Sequence, residues 1–234
     1  MRVALFATCL ADRLFADACA DAVRLLRKLG VEVDYPEGQA CCGQPALNAG
    51  YVEEARRMAR HTVAAFRGAE YVVLPSGSCA GMLRTHYPEL LGDGAARDLA
   101  ARTYELSEFI VKILGVTSLG RGLEGRTIAY HHGCHALREL RVHDEPLELL
   151  EHAGARVVPW DAAEECCGFG GLFSVKLPVV SAGMADRKLD TLPEVDFLTS
   201  ADGGCLMQLS TRAARRGLPL SCRHLASVLR EAAS

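Results

Sequence analysis

The tripeptide Cys-Cys-Gly occurs twice, as Cys41-Cys42-Gly43 and Cys166-Cys167-Gly168, and its two copies hold the same place in two halves of one repeated pattern. Cys9 recurs 125 positions later as Cys134, Cys41 and Cys42 recur at the same offset as Cys166 and Cys167, and Cys79 recurs at an offset of 126 as Cys205. Eight of the ten cysteines fall on this grid. A near-constant offset at four separate positions marks an internal duplication, so the chain must build one local architecture twice.

Each half reads as strand, helix, strand, helix, strand. In the first, residues 3–7 form a short apolar run, 17–29 carry Ala18, Ala22, Leu25, Leu26 and Leu29 at helical spacing before Gly30, and 31–35 alternate apolar and acidic residues before Pro36. A loop over 36–45 holds the cysteine pair, a helix over 52–67 follows, and 71–74 form a third strand ending in a turn at Cys79. The second half repeats this with strands over 127–131, 156–160 and 195–199, helices over 146–152 and 179–189, and a cysteine loop over 162–171. Closing helices are expected over 106–114 and 222–229. The fold class is therefore α/β, two pseudo-symmetric repeats, each a small parallel β-sheet flanked by helices. Four glycines over 115–125 mark the boundary, giving domains 1–118 and 119–234. Right-handed crossovers place the ends of all three strands of a half on one sheet edge. Cys9, the Cys41-Cys42 pair and Cys79 each follow one of those ends, so thiols dozens of residues apart converge.

The formal net charge of -3, with acids and bases interspersed, argues against a nucleic-acid surface. No apolar run reaches the 18 residues that a membrane span needs. The N-terminus imitates a signal peptide, but the same segment recurs in mid-chain at 127–134, which favours a cytoplasmic protein. In that reducing compartment clustered cysteines bind metal or do redox chemistry more often than they form stable disulfides.

Adjacent cysteines can share a site only in an irregular loop, since a strand would point them to opposite faces, and the glycine after each pair supplies the backbone freedom. Two neighbouring thiolates reach different irons of a cluster more readily than two corners of one tetrahedral ion, which favours iron-sulfur over a single zinc without excluding zinc. Metal or cluster ligation by Cys9, Cys41, Cys42, Cys79, Cys134, Cys166, Cys167 and Cys205 outweighs a metal-free dithiol or an inert core. Cys19 and Cys222, off the grid, read as small hydrophobes on helix faces. His131, His132 and His135 flank Cys134, where one could be a ligand or proton carrier. The first half has Phe6, Ala7 and Leu10 there, so a polar strand end meeting solvent or a helix is the simpler reading. His86 and His224 are weaker candidates, and Arg138 and Arg141 either offset cluster charge or are solvated. No G-x-G-x-x-G follows the first strand and no P-loop or G-x-S-x-G occurs, so a hydride step would take place elsewhere.

At these residues the sequence resembles the cysteine-rich, or CCG, domain family, which includes the heterodisulfide reductase B subunit and the iron-sulfur subunit of glycolate oxidase. The resemblance is strongest to its lactate-utilization branch. It rests on Thr8-Cys9, Ala40-Cys41-Cys42-Gly43-Gln44-Pro45, Pro75-Ser76-Gly77-Ser78-Cys79, His131-His132-Gly133-Cys134-His135, Cys166-Cys167-Gly168-Phe169-Gly170-Gly171 and Asp202-Gly203-Gly204-Cys205-Leu206-Met207. The fuller family motif ends each repeat in C-x-x-C, and this chain has Ser76 and Asp202 at the first of those cysteines, leaving four thiols per half. The resemblance implies one or two iron-sulfur clusters of the 4Fe-4S kind, in a subunit that relays electrons from L-lactate or another 2-hydroxy acid. It also implies a ferredoxin-like iron-sulfur partner subunit and a further small subunit. Two other functions stay open: a thiol-disulfide reductase of the heterodisulfide type, and a scaffold subunit with zinc at one site or both. The glycolate-oxidase type carries ferredoxin cysteines ahead of its repeats, whereas this sequence begins directly at the first repeat.

Overall fold

A computed structural model describes residues 1–234. The duplication is explicit in its sheets. Strands β1 (Arg2–Leu5), β2 (Glu32–Asp34), β3 (Tyr71–Leu74) and β4 (Thr103–Glu105) form one sheet in the order β2-β1-β3-β4. Strands β5 (Thr127–Tyr130), β6 (Arg156–Val157), β7 (Phe197–Ser200) and β8 (Cys222–His224) form the other in the order β6-β5-β7-β8. Every pairing is parallel, with Val3 opposite Val33 and Tyr71 in one sheet and Ile128 opposite Val157 and Phe197 in the other. Helices cover both faces, as a parallel sheet requires.

Each sheet has a fourth strand that the periodicity does not announce. Thr103–Glu105 and Cys222–His224 are only three residues long and run straight into helices, so their pattern merges with the helical one. Cys222 accordingly lies on a strand, not on the helix face expected for it, while Cys19 does lie on the helix Ala16–Lys28. Further helices occupy stretches to which the periodicity assigns no element or only a turn, among them Cys9–Leu14, Gly77–Gly81 and Gly203–Arg215. Cys9, Cys79 and Cys205 therefore sit in the first turns of helices, and Cys134 opens the helical segment that runs into Ala136–Leu140.

The largest apolar core is common to both halves. Val3, Leu5, Leu25 and Leu26 pack into one cluster with Ile128, Leu149, Leu225 and Leu229, all at most 1% exposed. The last helix, Leu225–Ala232, packs against Ala16–Lys28 of the first half. The glycine-rich connection docks on that last helix, where a Cβ at Gly122 would lie 2.1 Å from the Glu231 carbonyl oxygen, an approach only glycine permits. No helix is long and apolar enough to cross a membrane.

Candidate metal centre

The two cysteine sets face one another. A cavity of about 180 Å³ is lined by Cys9, Cys41, Cys42 and Cys79 from one half and by Cys134, Cys166, Cys167 and Cys205 from the other. The sequence places four thiols at each sheet edge. The structure adds that the two edges form opposing walls of a single chamber.

Within the first set, the sulfurs of Cys9 and Cys41 are 3.5 Å apart and those of Cys42 and Cys79 3.4 Å apart. Cys41 also contacts Cys42, so the four form a chain. The second set repeats the chain through Cys134, Cys166, Cys167 and Cys205. In each chain one thiol is strongly acidified by its neighbours. Hydrogen bonds donated by Cys42 and then Cys9 pull the Cys41 thiol down to about 3, and those from Cys134 and Cys167 pull Cys166 down to about 2. The donors pay in the opposite direction, since Cys9, Cys42, Cys134 and Cys167 are raised by these same contacts and by burial.

The backbone supports negative charge at this place. Gly168 and Phe169 donate N–H groups to the sulfurs of Cys166 and Cys167 at 3.4 and 3.5 Å. Helix N-termini carry partial positive charge, and Cys9, Cys79 and Cys205 sit at such ends. The loops are held by specific contacts: Gln39 bridges β1 by accepting from Ala7 N and donating to Leu5 O, both at 2.9 Å, and Tyr87 donates to Cys42 O at 2.8 Å. Gly43 and Gly168 both adopt positive φ, 89° and 82°, which turns each adjacent pair toward its chamber wall.

This donor set fits a thiophilic metal or an iron-sulfur cluster. Four sulfurs in a contiguous chain, with compensating N–H donors and Cys42, Cys79 and Cys167 buried at the back of the chamber, are what thiolate ligation needs. A further sign comes from His131, which is fully buried with its Nε2 unpartnered while Nδ1 faces Ala163 O at 3.2 Å. Its ligating nitrogen and the sulfurs of Cys167 and Cys205 all lie within 4.8 Å of one another. Burial lowers the His131 pKa to about 3, so the ring is neutral and able to coordinate.

The halves are thus unequal behind the thiols. Phe6, at the position matching His131, stacks on Phe66, whereas His131 meets Trp160 edge-on. Lys188 is completely buried, donates to Ala162 O and Ala163 O, and lies 4.2 Å from the Trp160 ring centre. No periodic signal in the sequence distinguishes Lys188 from a surface lysine, although its helix neighbours Ala185 and Leu189 are core residues. His132 is also buried and stacks on His143, so neither it nor His131 is a strand end meeting solvent. Of the remaining candidates, His135 lines the chamber and Arg138 and Arg141 are exposed. Cys19 and Cys222 lie outside the chamber, with burial raising each thiol to about 11.

Ser76 and Asp202, which replace the extra family cysteines, meet across the two halves. The Ser76 hydroxyl donates to Asp202 Oδ1 at 3.1 Å, and Ser78 N donates to the same oxygen at 2.9 Å. Asp202 occupies the N-cap position of its own helix, Gly203–Arg215, yet its carboxylate caps the first-half helix Gly77–Gly81 instead.

Comparison with known proteins agrees with this symmetry. A family model described as cysteine-rich domain, CCG, matches residues 3–84 and again 128–210. Lactate utilization protein A of Geobacillus kaustophilus is 48% identical over 98% of both chains, and that of Bacillus licheniformis is 45% identical over 98% of this chain and 99% of its own. A crystal structure of a hypothetical protein from Helicobacter pylori shares the fold at a TM-score of 0.67 and 11% identity, covering 100% of this chain and 49% of that one.

Proposed function

The chain belongs to the cysteine-rich CCG domain family in both of its halves, and from that premise we propose that it is an iron-sulfur electron-transfer subunit of a cytoplasmic L-lactate oxidation system. The observation that carries the reading is the eight-thiol chamber, in which each half contributes a contiguous chain of four sulfurs. Cys9, Cys41, Cys42 and Cys79 hold one centre, and Cys134, Cys166, Cys167 and Cys205 hold the other, of the 4Fe-4S kind. Bound clusters supply reversible one-electron transfer. The protein's own part is to bind them through eight thiolates and to bias the second site with Lys188.

The units that carry the two centres are residues 1–118 and 119–234. The electrons originate in lactate oxidation, and the partners are a ferredoxin-like iron-sulfur subunit and a further small subunit. This assignment is supported by near-full-length similarity to proteins named for lactate utilization.

A strain lacking the gene should fail to grow on L-lactate while growing normally on a sugar. Wild type should rescue it, and a variant carrying Cys41→Ser and Cys42→Ser should not. Normal growth of the deletion strain on lactate would remove the lactate assignment, and rescue by the double variant would remove the role given to the first centre.

A further inference from the structure

The helices on which Cys79 and Cys134 are mounted cross between the two halves, and the crossing brings together donors that belong to neither thiol chain. Helix Gly77–Gly81 continues into a wide π-helical turn, Met82–His86, and its neighbour is a second such turn, Ala136–Leu140. Turns of this kind are rare and concentrate at functional sites. Two glycines permit the close crossing. A Cβ at Gly77 would lie 2.4 Å from Ala136 Cβ, and one at Gly81 would lie 2.6 Å from Glu139 Oε2 and 3.3 Å from His135 Cβ.

At the crossing, His86 of the first half meets His135 and Glu139 of the second. Glu139 Oε1 is 2.7 Å from His135 Nδ1 and 3.2 Å from His86 Nε2, and one ligating atom from each residue lies within 4.8 Å of the others. Both rings converge on one oxygen. The other, Oε2, is buried with no partner. A buried carboxylate oxygen left unpaired carries its full desolvation penalty, so a plain ion pair does not account for the arrangement. Arg84, on the same turn as His86, is held by Glu108 at 2.6 Å and leaves the carboxylate free for another cation.

We propose that His86, His135 and Glu139 form a binding site for a divalent transition metal of the zinc type, joining the two halves beside the thiol chamber. Two imidazoles and a carboxylate are borderline donors suited to zinc or ferrous iron, a harder set than the sulfur-dominated donors of the chamber. The three side chains are 28%, 23% and 22% exposed, which leaves solvent access to complete the coordination. An ion there ties the Cys79 helix to the Cys134 helix. The site does not depend on what the thiols hold.

The test is zinc K-edge X-ray absorption on full-length protein isolated without oxygen, given one equivalent of Zn²⁺ and desalted, alongside His86→Gln and Glu139→Gln. The expected result is one zinc per chain with a nitrogen and oxygen shell at about 2.0 Å and no sulfur shell at about 2.3 Å. Each variant should bind zinc at least about 100-fold more weakly, since outer-shell changes alone reach that range. Their iron and sulfide content should stay unchanged, which separates this proposal from the electron-transfer reading. A sulfur shell, wild-type zinc affinity in either variant, or no retained zinc would overturn the site.

Discussion

Replacing Asp202 by Ala should destabilise the chain by about 2 to 4 kcal/mol, because this carboxylate joins the two halves at a buried point. Its Oδ1 accepts from the Ser76 hydroxyl at 3.1 Å and from Ser78 N at 2.9 Å, and Asp202 and Ser76 are only 4% and 5% exposed. Hydrogen bonds to a charged group contribute about 1.5 to 3 kcal/mol each, or roughly 3 to 6 for the pair. Two effects reduce that figure. The deletion also removes the desolvation cost of the carboxylate, and the Ser76 hydroxyl can turn to Ser78 Oγ, 3.2 Å away. Ser78 N is then the main orphan. Asp202→Asn keeps an acceptor but loses the charge, and its amide would lie where Oδ2 presses against Gly133, so about 1 to 2 kcal/mol should be lost. Ser76→Ala should cost about 1 to 2, including its cap bond to Cys79 N at 3.4 Å. Urea unfolding followed by circular dichroism under reducing, chelated conditions measures all three, together with the double variant. For a chain of this length the Asp202→Ala change corresponds to a Tm lower by roughly 4 to 16 °C. A loss below about 0.5 kcal/mol, or a Ser76–Asp202 coupling that small, would refute the account of the link.

Gly77→Ala should destabilise by about 1 to 3 kcal/mol or more, since the new methyl would lie 2.4 Å from Ala136 Cβ, whereas Gly183→Ala, in mid-helix with nothing within 4 Å, should stabilise by about 0.5 to 1; equal effects in thermal melts would contradict the close crossing. His224 is buried, accepts from Ala226 N at 3.2 Å, and is pushed down to about 4 by burial, from 6.5 when unfolded. The unfolded chain therefore takes up this proton first, and about 3 kcal/mol of stability present above pH 6.5 is lost as pH falls toward 4, a loss that His224→Gln should abolish in denaturation curves across that range. Glu105 works in the opposite sense, because burial raises it from 4.5 to about 7, so its stabilising contribution is full below pH 4.5 and is lost as pH rises through 7; Glu105→Gln should remove that slope in the same curves. Lys188→Met removes a buried cation from the second thiol set and should lower the potential of one redox couple by tens of millivolts, at about 60 mV per tenfold change in the one-electron equilibrium, while the other couple holds; potentiometry showing neither or both couples displaced would contradict the asymmetry.

The grid of repeated cysteines made the duplicated α/β fold and the two sets of four thiols legible in the sequence, because both depend on chain spacing and on strand ends sharing one edge. Cys9, Cys41, Cys42 and Cys79 converge as their positions after three parallel strands require. What spacing could not show is how two repeats face each other. The single chamber, the Ser76–Asp202 contact and the His86, His135 and Glu139 group all lie across that interface, where no sequence period operates. Strands β4 and β8 were hidden for a different reason, being too short to display alternation before their helices begin. Lys188 reads as a solvated cation until tertiary packing encloses it between Trp160 and two carbonyl groups.

The central claim is that the two thiol chains hold iron-sulfur centres, and the most direct measurement is iron, zinc and acid-labile sulfide content of protein purified without oxygen. Wild type should contain iron and sulfide in matching amounts, with brown absorbance that bleaches on reduction, and the Cys41→Ser and Cys42→Ser double variant should lose the share held by the first half while keeping that of the second. Zinc without sulfide, or unchanged iron in the double variant, would contradict it.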